Sequence, residues 1–275
     1  MNLIFSILIL VVAAGCKLQQ QSQNDKATKE RYVILLDQYF NNEWKKDKAD
    51  TLVRYHYTWE DKSNSGFSMF GNLFTTHGAE TKTLFDAPTA YNLKSADVYA
   101  IVDPDTEKET EKPNYIRGKD IDEIKNWVKT GGVLVLMGND SGNAEFTHFN
   151  QLAGTFGIQF NEDSKNRVLN NQYEQGAIVV PANHAILTKA KKLFIKEYSS
   201  LSVKKPAETV LMNGKDNVMA VSRYGKGIVF AIGDPWLYNE YTDGKKLPAE
   251  YENYKAAEDL VLWLLKQASK KSKNS

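Results

Sequence analysis

Residues 227–241 read "GIVFAIGDPWLYNEY". The first six, Gly227 to Ile232, form an uninterrupted apolar run of the kind buried on both faces of a parallel sheet. The run stops at Gly233 and Asp234. A tryptophan, two tyrosines, an asparagine and a glutamate then fill what ought to be a loop. A strand that ends on a carboxylate and feeds an aromatic, amide-rich segment suits an open α/β sheet, where ligands bind beyond the carboxyl ends of the strands.

Three upstream runs repeat the pattern. Val33–Leu36 closes on Asp37, Val98–Val102 on Asp103 with Asp105 behind it, and "VLVLMGND" on Asn139 and Asp140. Helical periodicity separates them. Phe67, Phe70, Leu73 and Phe74 recur at three-to-four spacing before Gly78. In "KDIDEIKNWVKTGG", Ile121, Ile124, Trp127 and Val128 share one face ahead of a glycine pair, and "AEFTHFNQLAGTFG" is a third helix. This alternation predicts an α/β fold with a doubly wound, mostly parallel sheet of flavodoxin-like type and right-handed crossovers. From Ile158 to Ile232 the pattern shifts to short strands, "GAIVVP", "KLFIKEY" and "TVLMN", and a hairpin around "RYGKG". These predict antiparallel or mixed strands added to the sheet in the C-terminal half. "AEYENYKAAEDLVLWLLKQA" predicts a closing helix with Tyr254, Ala257, Leu260, Val261 and Leu264 on its buried stripe.

The ends of the chain read differently. Residues 1–15, "MNLIFSILILVVAAG", are apolar from Leu3 and uncharged, too short to span a bilayer but right for a signal-peptide core. "AAGC" then delivers Cys16, the only cysteine, and resembles a bacterial lipoprotein signal in which that cysteine is lipidated. The expectation is a palmitate-bearing lipoprotein anchored through Cys16 to a bacterial membrane, in the outer membrane on its periplasmic or surface face; an ordinary secretory signal is the plainer alternative. A polar tether over 16–30, one domain over 31–268 and a basic disordered tail over 269–275 follow. The 35 Lys and Arg residues balance 34 Asp and Glu residues and are interspersed with them, so no nucleic-acid partner is expected.

Two clusters carry chemistry. One is the set of strand ends: Asp37, Asp103, Asn139 with Asp140, and Asp234 with Trp236, Asn239 and Glu240. The other, "RYHYTWEDKSNSGFS", packs Arg54, His56, Trp59 and further rings and carboxylates into one aperiodic stretch. Flat apolar rings beside amides, carboxylates and an imidazole are what sugar recognition uses. Each residue also has a structural reading: an Asp after a strand often caps a helix or closes a turn, and Trp59 and Trp236 could plug the end of the sheet. "GNDSG" is not a nucleophile elbow, so Ser141 with Glu145 and His148 makes a weak catalytic set. The four histidines, His56, His77, His148 and His184, are scattered, and no metal or cofactor is expected.

"DIDEIKNWVKTGGVLVLMGND", "HFNQLAGTFGIQFNED" and "YGKGIVFAIGDPWLYNE" together resemble the class I glutamine amidotransferase-like superfamily. "YHYTWEDKSNSGFS", "VDPDTEKET", "MGNDSGNAEF" and "GDPWLYNEY" are similar to the accessory module attached to unsaturated rhamnogalacturonyl hydrolases of Bacteroidetes. The resemblance implies pectin utilisation and a rhamnogalacturonyl hydrolase as partner. It carries no assigned activity. With no cysteine after Cys16, thiol-dependent glutamine hydrolysis is excluded.

The expected function is therefore binding of pectin-derived, rhamnogalacturonan-type oligosaccharides at the strand-end rim. Trp59 and Trp236 would stack on rings, Asn139, Asn239 and His56 would meet hydroxyls, Arg54 would grip a uronate carboxylate, and Asp37 would lie on the same rim. The alternative is a carboxylate-dependent glycan hydrolase using Asp103 or Asp140 against Asp234 or Glu240. A structural or assembly lipoprotein without ligand is the third reading.

Overall fold

The computed structural model describes residues 31–272. The expected signal peptide, the lipidation at Cys16 and the tether lie outside the described residues. The apolar runs become strands: β1 (Val33–Asp37), β5 (Val98–Val102), β6 (Val133–Met137) and β13 (Gly227–Ile232). With β4 (Glu80–Leu84) they form the parallel part of the main sheet, in the order β4-β1-β5-β6-β13. Every residue of β5, β6 and β13 is buried, which is why these segments show no polar alternation.

The sheet continues through antiparallel strands. β12 (Asp216–Tyr224) pairs with β13 across a tight hairpin whose Gly225 adopts φ +59°. β12 also pairs with β11 (Ala207–Asn213) and β10 (Leu201–Val203), and β10 pairs with β7 (Ile158–Phe160) at the far edge. The fold is thus α/β with a mostly parallel centre and antiparallel additions from the C-terminal half.

Helices cover both faces. On one, α1 (Ser68–Thr76) and α6 (Asn253–Ser272) pack against Ile34, Leu36, Val98, Ala100, Val133 and Phe230. On the other, α2 (Ala90–Leu93), α3 (Gly118–Lys129) and α4 (Phe146–Gly154) pack against Leu35, Tyr99, Ile101, Leu134 and Val229. Full burial of each such side chain contributes about 1.5–3 kcal/mol, so the alternate residues of the central strands anchor the two layers independently.

Several elements depart from expectation. β4, "ETKTL", carries no apolar run, because an edge strand needs only one packed side; its exposed Glu80 and Lys82 blunt that edge. The stretches "GAIVVP" and "KLFIKEY" do not extend the main sheet: β8 (Ala177–Val179) and β9 (Lys192–Phe194) pair only with each other. A second ribbon, β2 (Trp44–Lys46) with β3 (Leu52–Arg54), was not expected at all. In α6 the buried stripe begins at Asn253 and Ala256 and leaves Tyr254 exposed, and the helix runs to Ser272, past the expected boundary at 268. No described helix is long and apolar enough to cross a membrane.

Candidate functional site: a polar cavity at the strand ends

Beyond β5 the chain turns abruptly. Asp103 adopts φ +47°, a left-handed conformation that a non-glycine residue holds at a cost of about 1–3 kcal/mol. Its amide donates to Met137 O at 2.9 Å, fastening the turn to the end of β6. The turn buries the carboxyl group. Asp103 Oδ2 accepts from Tyr57 Oη at 2.7 Å and from Asn139 Nδ2 at 3.0 Å, while Oδ1 is buried with no hydrogen-bond partner among the described residues. Burial drives its pKa well above the carboxylate range; the Tyr57 bond opposes this and the charges of Glu109 and Glu43 reinforce it.

Tyr57 is held in position by equally unusual backbone. It and His56 are consecutive left-handed residues, φ +48° and +57°. The Tyr57 hydroxyl also lies 3.3 Å from that of Tyr238. Tyr238 belongs to the "GDPWLYNEY" segment that follows β13. It precedes a short helix, α5 (Asn239–Thr242). The start of this segment requires glycine: a Cβ on Gly233 would sit 1.8 Å from Ser199 O. Because the chain passes so closely there, Asp234 emerges beside the loop that carries Lys196 and Glu197.

These pieces enclose a cavity of about 220 Å³, lined by Asn139, Asp140, Asn143, Lys196, Glu197, Asp234, Tyr238, Glu240 and Tyr241. Asp234 is almost wholly buried, and desolvation, reinforced by the charge of Asp103 and opposed by Lys196, raises its pKa well above the carboxylate range. A carboxyl group so placed is pushed toward its neutral form, which donates as well as accepts. Asp140 accepts from Asn143 Nδ2 at 2.6 Å and from Ser164 Oγ at 2.5 Å. Glu240 is paired with Lys246, and Lys196 with Glu197 at 3.2 Å.

Of the residues singled out in the sequence, Asn139, Asp140, Asp234 and Glu240 meet in this cavity, and Asp103 stands directly behind Asn139. The others do not. Asp37 points to the opposite face, where its carboxylate accepts from Tyr99 Oη at 2.5 Å and from the amides of Phe40 and Tyr39. Trp236 is 0% exposed and Trp59 9% exposed; Trp59 packs among Phe67, Phe70 and Phe74 and donates to Lys82 O at 3.1 Å. Neither ring presents a face for stacking, because the aromatic content of these loops completes the core. Asn239 is also structural: its amide nitrogen donates to Asp61 O and Ser63 O, and its oxygen accepts from the Met69 amide.

Arg54 and His56 lie beyond the other side of Asp103. Arg54 Nη1 donates to Gln38 O at 2.8 Å and Asn42 Oδ1 at 2.5 Å, with the guanidinium over Trp44 and Phe85. His56 Nδ1 is 2.6 Å from Glu43 Oε1, a carboxylate that is itself buried. The weak catalytic set resolves as a cap: Glu145 accepts the His148 amide at the start of α4. Among the described residues no group of three His, Cys, Asp or Glu side chains is disposed to hold a metal ion. Sequence reasoning did not assign Lys196, Glu197, Asn143, Tyr238 or Glu43. Tyr238 stood in the stretch already singled out; Lys196 and Glu197 lie in a region with no strand-end signature.

No family profile and no curated protein matches the chain. Among solved structures it is similar to the mmIFT52 N-terminal domain, with a TM-score of 0.63 at 19% identity over 85% of this chain and 97% of that one. It is also similar to the cytoplasmic protein STM1381 from Salmonella typhimurium LT2, with a TM-score of 0.53 at 15% identity, over 78% and 94% of the two chains. A β-galactosidase from Rahnella sp. R3 matches with a TM-score of 0.51 at 14% identity, over 86% of this chain but only 31% of the enzyme. At such identities the likeness defines a shared α/β fold and nothing about activity.

Proposed function

We propose that this chain is a carbohydrate-binding lipoprotein of glycan utilisation, tethered through a lipid on Cys16 and binding a sugar of rhamnogalacturonan-type pectin in the cavity beyond β6 and β13. The observation that carries the reading is the cavity wall. Two amides, the buried carboxyl of Asp234, the half-buried carboxyl of Asp140 and two tyrosines converge there, a mixture of donors and acceptors suited to hydroxyl groups. The parallel order β4-β1-β5-β6-β13 supports a flavodoxin-like reading of the sheet, while the class I amidotransferase-like assignment rests on the sequence motifs alone. A rhamnogalacturonyl hydrolase as partner follows from the resemblance alone. Calorimetric titration with rhamnogalacturonan oligosaccharides tests the reading: binding that is lost in Asn139→Ala supports it, and heatless titration across the panel ends it.

One observation favours a second reading, a carboxylate-dependent glycan hydrolase. Asp234, buried and pushed toward its neutral form, shares the cavity with Asp140, whose charge adds to that push. An acid raised by burial beside a more exposed carboxyl group is the pairing that acid–base glycoside cleavage uses. Reducing-end release from the same oligosaccharides, abolished in Asp234→Asn, would establish it; binding without turnover would leave the first reading.

A further inference from the structure

The charges around the cavity select among sugars, an inference that rests on reading the cavity as a sugar site. Four of its lining residues bear carboxyl groups: Asp140, Glu197, Asp234 and Glu240. Lys196 is the single cation in the lining, and it is held in an ion pair with Glu197 at 3.2 Å. Lys246 is likewise held by Glu240. Asp140 takes its hydrogen bonds from the neutral groups of Asn143 and Ser164, so its negative charge has no cation against it in those contacts. Behind the wall stands the carboxyl of Asp103. The guanidinium of Arg54, expected to grip a uronate, is engaged elsewhere by Gln38 and Asn42.

An entering carboxylate would give up hydration without gaining an unpaired cation, and would face Asp140 in a partly enclosed, low-dielectric space. A hydroxyl in the same place finds the amides of Asn139 and Asn143, the tyrosine hydroxyls and the carboxyl groups of Asp140 and Asp234 as partners. At about 220 Å³ the cavity is smaller than the roughly 300–1,000 Å³ of drug-sized sites, and fits one small polar molecule rather than a run of sugar units.

We propose that the cavity takes a single neutral pyranose unit and discriminates against uronates by charge. Within a rhamnogalacturonan-type ligand, the acidic residues then lie outside the cavity and the neutral residue or side branch enters it.

The test uses three probes that differ only at C6: methyl galactoside, methyl galacturonoside, and the methyl ester of the latter. Each is titrated calorimetrically into the purified chain at pH 7. The galactoside and the ester are expected to bind comparably and the galacturonoside at least about tenfold more weakly. Asp140→Asn should narrow the ratio between acid and ester. Asn143→Trp, at an exposed position on the cavity rim, should block all three while leaving the melting temperature near that of the wild type.

A galacturonoside that binds as tightly as the galactoside overturns the selectivity while leaving the sugar site in place. An ester as weak as the acid overturns the charge mechanism in favour of bulk at C6. Binding that survives in Asn143→Trp places the sugar elsewhere and overturns the proposal. If none of the three binds, the sugar reading of the cavity falls, and this inference with it.

Discussion

Tyr57 donates its hydroxyl proton to Asp103 Oδ2 across 2.7 Å, and both residues have left-handed backbone, φ +48° and +47°. The contact joins the aperiodic loop before α1 to the turn after β5, segments far apart in the chain. Asn139 completes the acceptor's surroundings from the loop after β6, and Tyr238 meets Tyr57 from the segment after β13. The cavity is therefore backed by one buried network that four separate loops must reach together. Strain in two of those loops is offset by the bonds they make in the third and fourth.

Tyr57→Phe removes the shorter of the two hydrogen bonds to a buried carboxyl group. Asn139 still donates to Asp103, so the group is not stripped bare. The expected loss is about 1–3 kcal/mol of unfolding free energy, read from urea denaturation, with the denaturant slope unchanged.

Asn239→Ala should cost more than its small change in volume suggests. The amide holds Asp61 O, Ser63 O and the Met69 amide in one grip, and these bonds fix the loop leading into α1 against α5. Removing it leaves three part-buried backbone groups without this partner at once. The expected loss is about 2–4 kcal/mol, with faster proteolytic cleavage between Glu60 and Ser65 as the local readout.

Much of this architecture is legible in the residues. β5, β6 and β13 are apolar throughout, and the strand-end positions Asn139, Asp140 and Asp234 do converge on one edge. What escapes reading has physical causes. β4 is an edge strand and carries no apolar run. The turn at Asp103 reverses where its side chain would point if the strand simply ended, and no residue type announces that. Trp59 and Trp236 show the commonest ambiguity: an aromatic ring in a polar loop serves a ligand or the core, and only the neighbours decide. Gly71 shows which it is for Trp59, since a Cβ there would meet the indole at 2.8 Å.

Trp59→Ala follows from that packing. The indole fills space among Phe67, Phe70, Phe74 and Gly71, and its removal leaves a cavity in the core. The expected destabilisation is about 3–5 kcal/mol by thermal or urea unfolding. Because the ring is no part of the cavity wall, sugar affinity measured well below the melting temperature should stay within about twofold of wild type. A large affinity loss in a variant that remains folded would return Trp59 to the binding surface.

The pH dependence of stability should run opposite to ordinary acid denaturation over part of its range. Burial raises Asp37 to about 6 and Asp105 to about 7, and pushes Asp103 and Asp234 well above the carboxylate range. Unfolded, each titrates near 3.9. Between these values the folded chain binds more protons than the unfolded chain, so stability falls as pH rises from about 4 through 7. Asp37 alone accounts for about 3 kcal/mol across that window. His184, whose pKa burial lowers, opposes the trend below its ordinary value of about 6.5. Below about pH 4 the salt-bridged or hydrogen-bonded carboxylates held under their ordinary values, Glu252, Glu258 and Asp163 among them, lose their contribution and stability drops again. The expected profile has its maximum near pH 4, with a higher melting temperature at pH 5 than at pH 8. In Asp37→Asn the neutral side chain keeps the shape and removes the titration, so the slope between pH 5 and 7 should flatten. A melting temperature that climbs steadily from pH 5 to 8 would show that burial does not hold these acids toward their neutral forms in the folded chain.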